Sequence, residues 1–265
     1  MSVYYKEKVE NLTEAIQSLL NQTLIPNEII IVKDGPLTSK LNDCLRNFSE
    51  NNDIIKIIEL KKNVGLGKAL NEGIKYCSYD YVARMDSDDI SFSDRFEKQI
   101  NFLMKNPDCD LVGGNIVEFD EETNIDISLR IVPTTTEKIK KYLKRRNPIN
   151  HVTVMFNKQS VLEVGNYQDC PYFEDYYLWA RMLSANKKIF NLNETLVRVR
   201  AGLNMSNRRG NFTYIKSIIN FEKKLLGLKQ INLFDYIYNC VSRSVIAILP
   251  NKFRYFIYQK KLRNN

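Results

Sequence analysis

The sequence predicts an α/β fold whose first half alternates strands and helices and whose end is a basic helical tail. Three observations predict this. Up to Pro107, apolar β-branched runs and stretches of helical periodicity alternate about every 25 residues, a rhythm that builds a parallel sheet covered on both faces. Of the 265 residues, 44% are apolar and 26% charged, which supports a sizeable core and excludes a disordered chain. The net charge of +8 is uneven: residues 207–265 carry twelve Lys and Arg against Glu222 and Asp235, leaving the preceding 206 residues slightly acidic. Such a tail points to a surface that meets anions.

Met1 to Tyr4 form a first strand shorter than usual, which is either a short strand or one whose start lies upstream. Leu12, Ala15, Ile16, Leu19 and Leu20 then recur at helical spacing, with Asn11 placed to cap them. Residues 28–32 read as a buried strand closing in Lys33-Asp34-Gly35-Pro36. A helix to about Ser49 leads to a third strand at 54–60, after which Asn63 to Lys68 opens a helix through Ala69, Leu70 and Ile74. Residues 79–85 form a strand running into Asp86-Ser87-Asp88-Asp89. Ser93 or Asp94 caps the next helix, whose apolar positions include Phe96, Ile100 and Leu103.

Beyond Pro107 the pattern changes to extended pieces at 111–119, 127–132 and 152–156, mixed with helices near 137–145, 160–164 and 174–184. Two more helical patterns, 214–226 and 233–249, precede an aromatic and basic run at 253–261. No repeat or long linker interrupts this, so one domain at 1–210 with a helical extension at 211–265 is expected. Five scattered cysteines without a Cys-x-x-Cys pair argue against a disulfide framework or zinc site and favour a reducing compartment. No charged-then-apolar leader opens the chain, and no apolar window is long enough to span a bilayer.

Five constellations could carry chemistry. In an open parallel sheet, ligands lie beyond the carboxyl ends of strands, so Asp86 and Asp88 face a crevice where two carboxylates can share a hard divalent cation. An acidic turn with a helix cap is the alternative. Gly65-Leu66-Gly67-Lys68 at a helix start suits a phosphate, or is a tight connection; it matches neither a Walker loop nor a dinucleotide fingerprint. Asp34 could bind a base or ribose edge, or belong to an ordinary turn. Glu174 and Asp175 fall in the first turn of a helix whose Trp179 and Met182 face the core, where they serve a general base or complement the helix dipole. Arg198, Arg200, Arg208 and Arg209 form a basic loop able to fork around phosphates, or a solvated one. The single histidine, His151, is expected to pack or hydrogen-bond beside a site.

The order of these pieces resembles the inverting family 2 glycosyltransferases, and within them the AmsE-like enzymes of exopolysaccharide and O-antigen assembly. The segments that carry it are MSVYYKEK, SLLNQTLIPNEIIIVKDGPLT, KNVGLGKALNEGI, YDYVARMDSDDISFSDRFEKQI, NPDCDLVGGN, NPINHVTVMF, VGNYQD, EDYYLWARML and RAGLNMSNRRG, together spanning about residues 1–225. The resemblance implies a GT-A fold, a Rossmann-like nucleotide-binding mixed sheet flanked by helices. It implies that Asp86 and Asp88 hold Mn²⁺ or Mg²⁺ against a UDP-sugar, with Asp89 in support. It also implies that Asp175 is the base with Glu174 beside it, and that Asp34, Gly67 and Lys68 lie in the nucleotide-sugar region. Many relatives carry Asp-Asp-Gly where this chain has Lys33-Asp34-Gly35. A hexose, best read as galactose in a β1,3 linkage, would pass to an N-acetylhexosamine on diphospho-undecaprenol, with Arg208, Arg209 and His151 toward the acceptor diphosphate. Aromatic residues interleaved with Lys and Arg in the tail suit the inner face of a bacterial membrane, giving a peripheral cytoplasmic enzyme. A sugar nucleotidyltransferase would show a Gly-rich basic loop directly after the first strand, which Tyr4 to Lys8 do not supply. A nucleic-acid-binding module would leave the acidic cluster without a role, so nucleic acid is not an expected partner.

Overall fold

Strand β2 (Ile29–Lys33) is a run of β-branched residues buried on both faces, and it pairs in parallel with β1 (Ser2–Val3) on one side and β3 (Ile55–Glu59) on the other. The structure is a computed structural model describing residues 1–201 and 212–250, so the 253–261 run and Arg208 and Arg209 lie outside the described residues. Helices α1 (Val9–Leu20), α2 (Ser39–Glu50) and α3 (Leu66–Tyr76) connect and cover this sheet. Leu12, Ala15, Ile16 and Leu19 of α1 are buried, as their spacing predicts. The helix begins before Asn11, however. Lys8 occupies the cap position, and the Asn11 amide instead reaches across to Glu121 at 3.3 Å.

A second, mixed sheet has the order β4-β8-β6-β9-β5, with β7 on β6. Its members are β4 (Tyr81–Ala83), β5 (Ile90–Ser91), β6 (Leu111–Phe119), β7 (Asp126–Arg130), β8 (Met155–Asn157) and β9 (Ile189–Arg200). Only β6 and β9 run parallel within it, so the parallel expectation for the first half ends at β3. Helices α4 (Arg95–Lys105), α5 (Thr136–Leu143), α6 (Lys158–Glu163) and α7 (Glu174–Ser184) flank it. Asp94 takes the α4 cap position but turns its carboxylate to Lys98 at 2.7 Å.

Two of the differences from the sequence reading bear on the site. Strand β9, twelve residues long, is absent from that reading, because polar Asn191, Asn193 and Glu194 break the alternation and the pairing with β6 shifts register around Asn115. Arg198 and Arg200 therefore sit on a strand. The piece expected as a strand at 152–156 opens as a 3-10 turn over His151–Thr153, held where the Thr153 hydroxyl accepts from the Gly114 N–H at 3.0 Å.

Helices α8 (Phe212–Gly227) and α9 (Leu233–Ile248) contribute side chains to the core around Trp179. Phe221 stacks on Phe173 with centroids 4.5 Å apart and planes 7° apart. Arg145 ties both helices in: it pairs with Asp235 at 2.6 Å and bonds Asn239, whose amide donates to Glu222 at 2.9 Å.

Candidate active site

β4 ends at Ala83, and the chain runs through Arg84 and Met85 into the acidic turn at 86–89 before β5 begins. Carboxylate oxygens of Asp86, Asp88 and Asp89 lie within 4.8 Å of one another. The turn is braced on three sides. Ser87 donates to Glu7 at 2.6 Å, the Arg200 N–H donates to Asp89 at 3.0 Å, and the Arg200 Nε donates to the Asp88 carbonyl at 2.6 Å. Burial pushes the Asp88 carboxyl up to about 7, and the charges of Asp86 and Glu7 add to the rise. Burial, Asp86 and Asp88 likewise raise Asp89 well above the carboxylate range. Crowded, desolvated oxygens of this kind are what a hard divalent cation relieves, so the three residues fit one.

The second acidic pair opens α7. Its first turn stands at the rim because Tyr176, Trp179, Met182 and Leu183 commit the rest of the helix to the core. Burial lifts Glu174 to about 7, with the Asp175 charge adding. Burial also raises Asp175, opposed by the Tyr176 N–H and by the Asn147 amide, which donates at 2.7 Å. Gly67 brings the first turn of α3 against this one: a Cβ there would sit 3.2 Å from the Glu174 Cβ. The two acidic groups share one electrostatic neighbourhood, since the Asp86 charge contributes to the rise at Glu174. Arg84 opposes the rise at Asp88, Asp89, Glu174 and Asp175 alike.

Asp34 is buried, and its carboxylate accepts the N–H groups of Val64 at 2.7 Å and Gly65 at 3.0 Å, setting the loop that leads into α3. Gly65 there has φ +88°, a conformation that favours glycine. Lys33 pairs with Glu59 at 2.5 Å, while Lys68 is exposed at the start of α3. His151 bonds the Tyr167 hydroxyl at 2.7 Å and meets Trp179 edge-on; burial and Arg84 hold its imidazole neutral. Arg198 is engaged by Asp126 at 2.7 Å and lies over the Phe119 ring. Arg208 and Arg209 lie outside the described residues, in the segment that follows Ala201 at the end of β9.

Sequence reasoning passed over Arg84, Asn147, Tyr167 and Glu7. Arg84 carried a signal, a cation placed two residues before an acidic turn on an otherwise apolar strand. Asn147 and Glu7 carried none, because their partners are 28 and 80 residues away in sequence. A cavity of about 480 Å³ lies between β2 and β4, bordered by Met1, Ile30, Val32, Ile74 and Ala83 but by none of the acidic turn. The Met1 amine donates to the Ile30 carbonyl at 3.0 Å.

The family model described as Glycosyl transferase family 2 matches residues 2–165. The amylovoran biosynthesis glycosyltransferase AmsE of Erwinia amylovora is 38% identical over 260 residues, 98% of this chain and 97% of that protein. A UDP-Gal:alpha-D-GlcNAc-diphosphoundecaprenol beta-1,3-galactosyltransferase of Escherichia coli is 36% identical over 263 residues, 99% of this chain and 95% of its own length. The crystal structure of S. aureus TarS 1-349 in complex with UDP-GlcNAc aligns with TM-score 0.67 at 15% identity, covering 98% of this chain and 75% of that one. That last likeness is one of fold, the GT-A arrangement.

Proposed function

This chain belongs to glycosyl transferase family 2, and on that premise we propose that it moves a hexose from a UDP-sugar, with inversion, onto a lipid-diphosphate-linked N-acetylhexosamine during exopolysaccharide or O-antigen assembly. One observation carries the reading: just past the end of β4, Asp86, Asp88 and Asp89 bring carboxylate oxygens within 4.8 Å of one another. Asp86, Asp88 and Asp89 would hold Mn²⁺ or Mg²⁺. When bound, that ion neutralises charge on the departing diphosphate.

Across the site, Asp175 takes the proton of the incoming hydroxyl. Asn147 holds one of its oxygens in place, and burial keeps the carboxylate basic enough for the task. Glu174 and Gly67 bring the α3 and α7 helix starts together, where peptide N–H groups favour the anionic donor. A single in-line displacement turns a UDP-α-sugar into a β-linkage. Galactose and a β1,3 bond are the specific expectation, supported by the E. coli relative's name. Asp34 shapes the donor loop, and Arg208, Arg209 and His151 are assigned to the acceptor side.

Membrane contact is part of this reading. Among the described residues, no helix is long and apolar enough to cross a membrane. α9 nevertheless exposes Leu233, Phe234, Ile237, Tyr238, Val241, Val245 and Ile248. At helical pitch these cover about 140° of its circumference. Such a stripe beside a basic tail suits burial at an anionic bilayer surface, on the inner face of the bacterial membrane, where a lipid-linked acceptor resides.

The test is a panel of radiolabelled UDP-hexoses offered with a synthetic GlcNAc-diphosphate-lipid, with and without Mn²⁺. Metal-dependent formation of a β1,3-galactosyl product, with release of UDP, is expected. Transfer of another sugar would overturn the donor assignment, and release of pyrophosphate the reaction class.

A further inference from the structure

Arg84 is the buried cation closest in sequence to the acidic turn, and the structure gives it one carboxylate partner. Its side chain is 4% exposed, and two of its nitrogens span both oxygens of Asp86, one at 2.6 Å and the other closer. Its remaining nitrogen, Nε, is buried without a hydrogen-bond partner. Burying a guanidinium is costly, and a merely structural one would spread its donors over the core. Its backbone is fixed from behind, because Arg95, wholly buried, donates to the Arg84 carbonyl at 2.8 Å. Five carboxylates lie within its field: Asp86, Asp88, Asp89, Glu174 and Asp175.

Resting on the donor-site reading above, we propose that Arg84 is a resident counter-ion and positioning residue: it balances the acidic site when no divalent ion is bound, and its fork fixes the Asp86 carboxylate in the orientation that the metal–nucleotide complex, rather than the metal alone, requires. Arginine suits both tasks, since it stays charged and its fork matches a carboxylate bidentately. The two tasks oppose one another in binding. The charge repels an incoming cation, while the fork prepares the carboxylate that a metal–nucleotide complex needs. Removing Arg84 therefore has effects of opposite sign on the two ligands, which loss of structural integrity would not produce.

The experiment titrates Mn²⁺ alone, then UDP in saturating Mn²⁺, into the native chain, Arg84→Gln and Arg84→Lys, by calorimetry and by electron paramagnetic resonance of free Mn²⁺. For Arg84→Gln, Mn²⁺ is expected to bind about tenfold tighter and UDP about tenfold weaker. Arg84→Lys keeps the charge and loses the fork, so Mn²⁺ affinity stays within about twofold while UDP weakens about fivefold or more. Weaker binding of both ligands by Arg84→Gln, or UDP affinity in Arg84→Lys equal to the native chain's, overturns the proposal. The lysine variant alone decides if the glutamine variant does not fold. Failure of the native chain to bind Mn²⁺ would overturn the donor-site reading, and this proposal with it.

Discussion

The Asn147 side-chain amide donates a 2.7 Å hydrogen bond to one oxygen of Asp175, tying the loop after α5 to the first turn of α7. The bond, together with the Tyr176 N–H, opposes the rise that burial imposes on Asp175. Asp175→Asn should cut the transfer rate by about 10²- to 10⁴-fold with an unchanged melting temperature. Asn147→Ala should act more mildly, lowering kcat and moving the acidic limb of the rate profile to higher pH, because the base loses a partner of its charged form. Full turnover by Asp175→Asn would remove it from the base role.

Asp88→Asn should abolish metal-dependent stabilisation and donor binding together. The amide keeps the shape of the turn but supplies a weaker, neutral ligand. Thermal melts with and without Mn²⁺ read this directly: the native chain should gain stability on adding the ion, and the variant should not. Excess chelator should likewise stop turnover by the native chain, and undiminished rates in chelator would sink the metal assignment.

The metal-free chain should lose stability as pH rises from the ordinary carboxylate range to about 7. Asp88 and Glu174, both lifted to about 7, keep protons in the folded chain at pH values where unfolded carboxyls have shed them. The folded state then binds more protons than the unfolded one across that window, so the slope of stability against pH is negative there. Stabilisation by a divalent ion should grow through the same window as the protons leave. Urea melts from pH ~5 to ~8, with and without Mn²⁺, test both signs.

Phe221→Ala should destabilise the whole domain by about 3–5 kcal/mol, the range for truncating a buried phenylalanine. Phe221 is fully buried and packs against Phe173 and Tyr176, so α8 is expected to melt together with α7. A two-step melt in which only the C-terminal helices loosen would show instead that the extension folds on its own.

Phe234→Asp together with Val241→Asp should release the chain from anionic vesicles while leaving its melting temperature unchanged, since both side chains are exposed. Sedimentation with vesicles containing phosphatidylglycerol, compared at low and high salt, separates the apolar contribution from the electrostatic one. Equal partitioning of native and variant chains would exclude α9 as the docking face.

Local patterns carried much of the fold into view. The β-branched run of β2, the helical spacing of α1 and the turn at 86–89 each act through residues adjacent in sequence, so their periodicity and residue type already specify strand, helix and strand-end cluster. The same holds for α7, where Trp179 and Met182 point inward and so leave Glu174 and Asp175 at the rim. β9 escaped notice because its alternation is broken, and its strand state comes from pairing with β6, some 80 residues earlier.

By itself, then, the sequence determined the α/β class, the acidic turn, the second acidic pair and the end of the chain that bears the positive charge. Only the tertiary structure decided that Arg84 grips Asp86, that Asn147 holds Asp175, that Arg200 braces the acidic turn, and that α8 and α9 share the core of α7. The physical reason lies in range. Helix and strand preferences are settled within a few residues, whereas desolvation, charge coupling and packing depend on which distant segments burial brings together.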